Sequence, residues 1–179
     1  MSTEQALPHS LEAERSVLGL TLVSPDLMNQ AMGGGGTALV PEDFYHAGHR
    51  HIFRAMVELF ERGIAIDPVT IKDRLDGAGL LNEAGGLEYL LGLMDGMPRM
   101  DHLGAYAGLV REKSLQRKLY NAGHEIARAA LSPEGETSDL LGEAERRIFE
   151  AGGAHLTRDY RSMMEVGKEI EPMLEKQHH

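Results

Sequence analysis

His46, His49 and His51 come closer than any other residues of this chain to a reactive cluster. Imidazoles three residues apart share a helical face and can hold a transition metal or pass a proton. His46 and His49 have that spacing, but His51 points elsewhere, and no acid stands where a zinc-protease helix requires one. The protein has no cysteine, which removes thiolate ligands, cysteine nucleophiles and disulfides together. The histidines are therefore expected to be hydrogen-bonded or solvent-facing, and no metal site is expected. Gly33 to Gly36 suggest a phosphate-cradling loop, but Thr37-Ala38-Leu39 follows without the lysine such a loop needs. Four glycines in a row are expected to form a flexible surface loop instead. The acid pairs Glu42/Asp43 and Glu143/Glu145 are expected to be solvated charge on helix surfaces, and no serine stands in a Gly-x-Ser-x-Gly turn. No catalytic residue, cofactor-binding residue or metal ligand is assigned, so no enzyme activity is expected of this chain itself.

Charge points toward protein partners. Twenty-eight acidic residues against 18 lysines and arginines give a formal net charge of −10, which repels a phosphate backbone. Aromatic residues make up 5% and tryptophan is absent, so a stacking platform for single strands is not expected either. There is no apolar run of membrane-spanning length. Met1-Ser2-Thr3-Glu4-Gln5 has no signal-peptide character, and a cytoplasmic location is the expectation.

The elements that would position any site are helical throughout. Ser10 reads as an N-cap with Glu12 and Glu14 in the first turn, followed by Leu11, Val17, Leu18 and Leu22 on one stripe. Ser24-Pro25 opens a short helix to Met32. A stronger helix is predicted from Gly48 to Arg62 on the spacing of Ile52, Phe53, Met56, Leu59 and Phe60. Asp67-Pro68 starts another, and Tyr89, Leu90, Leu93 and Met94 mark one more before Gly96 and Pro98. From about Asp101 to Leu131 no proline occurs, which predicts a helix about 45 Å long at 1.5 Å per residue. Ser132-Pro133-Glu134-Gly135 reads as a turn, and Ser138 as the cap of a returning helix bearing Leu140, Leu141, Ala144 and Ile148. The expected architecture is all-α: a compact helical globule over 1–98, an antiparallel helical hairpin over 99–152, and a linker helix within 153–179. Two helices alone bury too little surface to be stable, so hairpin residues are expected to work between molecules. The linker carries Met163, Met164, Val166, Ile170, Met173 and Leu174 with no partner in the chain, and Pro172 interrupts it.

Several of these segments occur in an order that resembles the DnaB family of replicative DNA helicases. They are Pro8 to Gly19 (Pro-His-Ser-Leu-Glu-Ala-Glu-Arg-Ser-Val-Leu-Gly), Pro41-Glu42-Asp43-Phe44-Tyr45 with His49-Arg50-His51-Ile52-Phe53, and Gly63 through Ile66-Asp67-Pro68-Val69-Thr70. Gly85-Gly86-Leu87-Glu88-Tyr89-Leu90 and Ala105 to Lys113 continue the series, and the likeness runs over roughly residues 7 to 175. The resemblance implies the N-terminal collar domain of a hexameric ring, with hairpins pairing subunits into dimers and a trimer of dimers. It implies binding of the C-terminal helicase-binding domain of primase, with a helicase loader as a further candidate partner and single-stranded DNA met only through the assembled ring. Tyr89, Tyr120, Ile126 and Leu140 match positions of primase contact or hairpin geometry; Leu103, Tyr106, Val110, Leu119 and Ile148 fall on the dimer hairpin. Met163, Val166 and Ile170 match a linker helix that docks on a neighbouring motor domain. That motor domain, with its nucleotide-binding loop, ATP and magnesium, is expected beyond residue 179. A stand-alone helical adaptor or loader-type regulator is the rival reading.

Overall fold

The computed structural model describes residues 6–33, 38–96, 99–131 and 136–152, and the chain divides into two compact units, Met1–Arg117 and Lys118–His179. The described residues are helical or looped, with no strand among them. Helices α1 (Leu11–Val23), α2 (Asp26–Met32), α3 (Ala47–Glu61), α4 (Pro68–Gly77) and α5 (Gly86–Gly92) build the first unit, joined by the first half of α6 (Leu103–Leu131). The second unit holds the rest of α6 and a helix over 137–152, here α7.

Local chemistry sets most helix ends. The Ser10 hydroxyl accepts from the Ala13 amide at 3.3 Å and starts α1. At α4 the Asp67 carboxylate accepts from the amides of Val69 and Thr70 at 2.8 and 2.9 Å, while the Asp67 amide donates to the Thr70 hydroxyl. Pro68 at the first helical position costs no hydrogen bond. Gly63, at φ +65°, turns the chain out of α3. For α7 the expected cap is corrected: Glu136 accepts from the Asp139 amide at 3.0 Å, so Ser138 lies inside the first turn.

The core lies where α1 and α3 pack, around Val17, Leu18, Phe44, Ile52, Phe53 and Met56, all fully buried. Ile71, Leu90 and Leu93 close it from α4 and the α5 region. Each such side chain contributes about 1.5–3 kcal/mol on leaving water. The glycine loop over 34–36, the 132–135 turn and the linker over 153–179 lie outside the described residues, as do Met163, Val166 and Ile170.

Two sequence expectations are corrected in this unit. The globule does not end at residue 98. Leu103, Ala107, Val110 and Ser114 recur at helical spacing on one face of α6 and are buried, so the compact unit runs to Arg117. Leu103 and Val110, expected on the dimer hairpin, are 1% and 2% exposed and belong to the globule's own core. Tyr106 packs partly buried against that core. The second correction concerns Asp43, expected as solvated charge but wholly buried. Its carboxylate accepts from Ser114 Oγ at 2.7 Å, Arg111 Nη1 at 3.0 Å and the Val40 amide at 3.0 Å. Arg117 donates to the Asp43 carbonyl at 2.6 Å and to the Pro8 carbonyl at 2.8 Å. A buried carboxylate survives only with such partners, and here Arg111 and Ser114 supply them from α6.

Candidate partner-binding site

In the first unit, Glu14 of α1, His49 of α3 and Tyr89 of α5 form one hydrogen-bonded line. Glu14 is 1% exposed. Its Oε1 accepts from the Tyr45 amide at 2.7 Å, and its Oε2 from the His46 amide at 3.2 Å. His49 Nδ1 lies 2.7 Å from the same Oε2, and His49 Nε2 lies 2.5 Å from the Tyr89 hydroxyl. Burial alone would raise the Glu14 carboxyl, but the hydrogen bonds from His49 and the two amides outweigh it and hold it below its ordinary range. Burial pushes the Tyr89 phenol up, so the hydroxyl keeps its proton.

Two glycines let the line close. A Cβ on Gly48 would stand 2.6 Å from the Glu83 carbonyl oxygen, so only glycine permits the 83–86 loop to lie against the start of α3. Gly85, at φ +92°, holds a left-handed conformation and would put a Cβ 2.8 Å from Tyr89 Cβ and Cγ. The result is an open cavity of about 420 Å³ whose wall includes Glu12, Arg15, His46, His49, Glu83 and Tyr89. The Arg15 guanidinium lies 5.8 Å from the Tyr89 ring centroid, a cation–π distance. His46 and His49 do approach, with ring centroids 4.6 Å apart. His49 is committed to Glu14 and Tyr89, however, and burial lowers the pKa of His46. Among the described residues no group of three or more His, Cys, Asp or Glu side chains is placed to hold a metal ion.

The second unit has a different character. None of its described residues is buried. Leu119, Tyr120, Leu141, Ile148 and Phe149 are each more than half exposed. Ile126 and Leu140, two of the residues singled out in the sequence, line one apolar groove of about 320 Å³ with Ala130, Leu141 and Ala144. Arg147 ties the two helices together, 2.8 Å from Glu143 and 3.8 Å from Glu125. Glu143, one of the acid pairs, also accepts from Arg146, and these bonds hold its carboxyl below the ordinary range. Tyr89 belongs to the first unit, and Tyr120, Ile126 and Leu140 to the second. Glu14, which completes the Tyr89 line, was assigned no site role in the sequence; a buried acid two residues after a helix-opening acid leaves no distinct local pattern.

Residues 6–112 fit the profile of the DnaB-like helicase N-terminal domain. The chain belongs to this family. It is 35% identical over 159 residues to the replicative DNA helicase DnaC of Bacillus subtilis, covering 89% of this chain and 34% of that protein. It is 38% identical over 148 residues to the replicative DNA helicase DnaB of Geobacillus stearothermophilus, covering 83% of this chain and 32% of that protein. The chain thus spans about a third of the length of these relatives. The crystal structure of the N-terminal domain of DnaB helicase from Mycobacterium tuberculosis superposes with a TM-score of 0.75 at 33% identity, covering 81% of this chain and 99% of that one. A DnaB-like replicative helicase, whose structure was determined together with its interactions with primase, shares the fold with a TM-score of 0.63 at 23% identity, over 87% of this chain and 35% of that one. Among the described residues no helix of this DnaB-type N-terminal domain is long and apolar enough to cross a membrane.

Proposed function

We propose that this chain is the collar domain of a hexameric replicative DNA helicase, joining subunits through its 118–152 unit and recruiting primase. The observation that carries the reading is the second unit itself. Two helices with every apolar side chain at least partly exposed cannot be stable alone, and the groove of Ile126 and Leu140 with the outer Leu119, Ile148 and Phe149 gives a second copy an apolar surface to cover. The domain takes no cofactor of its own; ATP and magnesium belong to the motor domain of the whole helicase, which unwinds duplex DNA in the cytoplasm. Hairpins pair subunits, three pairs complete the ring, and single-stranded DNA passes through it rather than binding this acidic surface. The C-terminal helicase-binding domain of primase docks on the collar, with Tyr89 on the globule and Tyr120, Ile126 and Leu140 on the hairpin as candidate contacts. A helicase loader remains a candidate for the same collar. Titration calorimetry with the primase C-terminal domain tests the recruitment half. Saturable binding that weakens on Tyr89→Ala and on Ile126→Asp supports it; no heat at concentrations well above micromolar contradicts it.

A further inference from the structure

The line from Glu14 to Tyr89 has a fixed direction. The amides of Tyr45 and His46 can only donate, so both Glu14 oxygens are acceptors, 2.7 and 3.2 Å from those nitrogens. An ionised carboxylate has no hydrogen to give, so the proton on the 2.7 Å contact with His49 sits on Nδ1. When the His49 ring carries a single proton, Nε2 is left with a lone pair, and the Tyr89 hydroxyl, 2.5 Å away, spends its hydrogen there. What the phenol oxygen shows to the cavity is lone pairs. Two carboxylates, Glu12 and Glu83, stand on the same wall.

We propose that Glu14 and His49 are positioning residues that fix Tyr89 as a hydrogen-bond acceptor at the cavity rim, so that this site selects a partner through a donating side chain, lysine or arginine. The inference rests on the reading that a partner docks over Tyr89. Neither Glu14 nor His49 need touch the partner; each acts through the tyrosine. A lysine or arginine entering the cavity meets the phenol oxygen and the Glu12 and Glu83 carboxylates beside Arg15, which lies over the Tyr89 ring, whereas an acidic group meets those two carboxylates and no phenol hydrogen.

Glu14→Gln is the decisive variant, because it keeps the shape and reverses the line. With its oxygen at the Oε1 position the glutamine still accepts from the Tyr45 amide, while its NH₂ at the Oε2 position donates to His49 Nδ1 and gives up the bond from the His46 amide. That moves the ring proton to Nε2, makes Tyr89 the acceptor there and turns its hydrogen toward the cavity. Nitrogen-15 NMR of the histidine rings in the unaltered chain at neutral pH reads the tautomer directly. The expected result is a protonated Nδ1 and a lone-pair Nε2 for His49, exchanged in Glu14→Gln; a lone pair on Nδ1, or a proton on both nitrogens, in the unaltered chain overturns the inference alone. Affinity for the primase C-terminal domain is expected to fall about tenfold in Glu14→Gln and in Tyr89→Phe, the loss of about one good hydrogen bond. In the double variant Glu14→Gln should cost less than twofold beyond Tyr89→Phe, since there is no longer a hydroxyl to reorient. A purely structural role for Glu14 would instead lower affinity equally in both backgrounds, and that result overturns the proposal. Unaltered affinity in both Tyr89→Phe and Tyr89→Ala overturns the docking reading beneath it, whatever the tautomer. Circular dichroism identifies any variant that fails to fold, in which case the tautomer of the unaltered chain and the Tyr89→Phe affinity decide.

Discussion

Glu14 makes three hydrogen bonds from almost complete burial, and its substitution should be felt in both stability and pH dependence. Its folded carboxyl lies below the ordinary value of 4.5, so its contribution is fully present above that value and is lost as pH falls through the folded one. The melting temperature of the unaltered chain should therefore fall on acidification below about the ordinary glutamate range. In Glu14→Gln that part of the slope should flatten, with stability at pH 7 lower by about 1–3 kcal/mol. An unaltered pH slope in the variant would assign the acid sensitivity to other carboxylates. This residue also marks where sequence reading stops. Two glutamates at the start of a helix look alike, and Glu12 is exposed while Glu14 is buried. The difference is made by His49, 35 positions away, which no local pattern announces. Asp43 was misread for the same reason, since its partners Arg111 and Ser114 come from α6.

The helices themselves are well determined by local chemistry. Ser10, Asp67-Pro68 and Gly63 act at the ends where their side chains or backbone freedom predict, and the Ile52, Phe53 and Met56 stripe is buried as its spacing requires. What periodicity could not divide was α6. Its apolar positions run on past Arg117, and only the partners reveal that Leu103, Ala107 and Val110 face a core while Leu119 is 56% exposed. Asp43→Ala, which strips Arg111 and Ser114 of their acceptor, should destabilise the first unit by about 3 kcal/mol. Hydrogen exchange at residues 107–117 should accelerate in that variant, and unchanged protection there would contradict the anchoring role. Glycines on the helices separate two cases. Gly48→Ala forces a Cβ against the Glu83 carbonyl and should cost about 1–3 kcal/mol by thermal melting. Gly104→Ala meets nothing within 4 Å on α6 and should gain up to about 1 kcal/mol of helix propensity.

For the whole molecule, charge and surface point the same way. A net charge of −10 disfavours direct contact with nucleic acid, and the 118–152 unit leaves Leu119, Tyr120, Leu131, Leu141, Ile148 and Phe149 exposed. The family was legible from ordered motifs between Pro8 and Lys113, a span that the matched profile over residues 6–112 largely shares. Which surfaces meet which partner was not, because an interface leaves only unburied side chains in one copy of the chain. Leu119→Asp with Ile148→Asp should leave the melting of the first unit nearly unchanged, since both residues are more than half exposed. The solution mass of the unaltered chain and of this double variant, measured by light scattering at matched concentration, tests the collar assignment most directly. The collar assignment predicts a dimer or larger species for the unaltered chain and a monomer for the variant. A monomer in both, at concentrations of tens of micromolar, would contradict it.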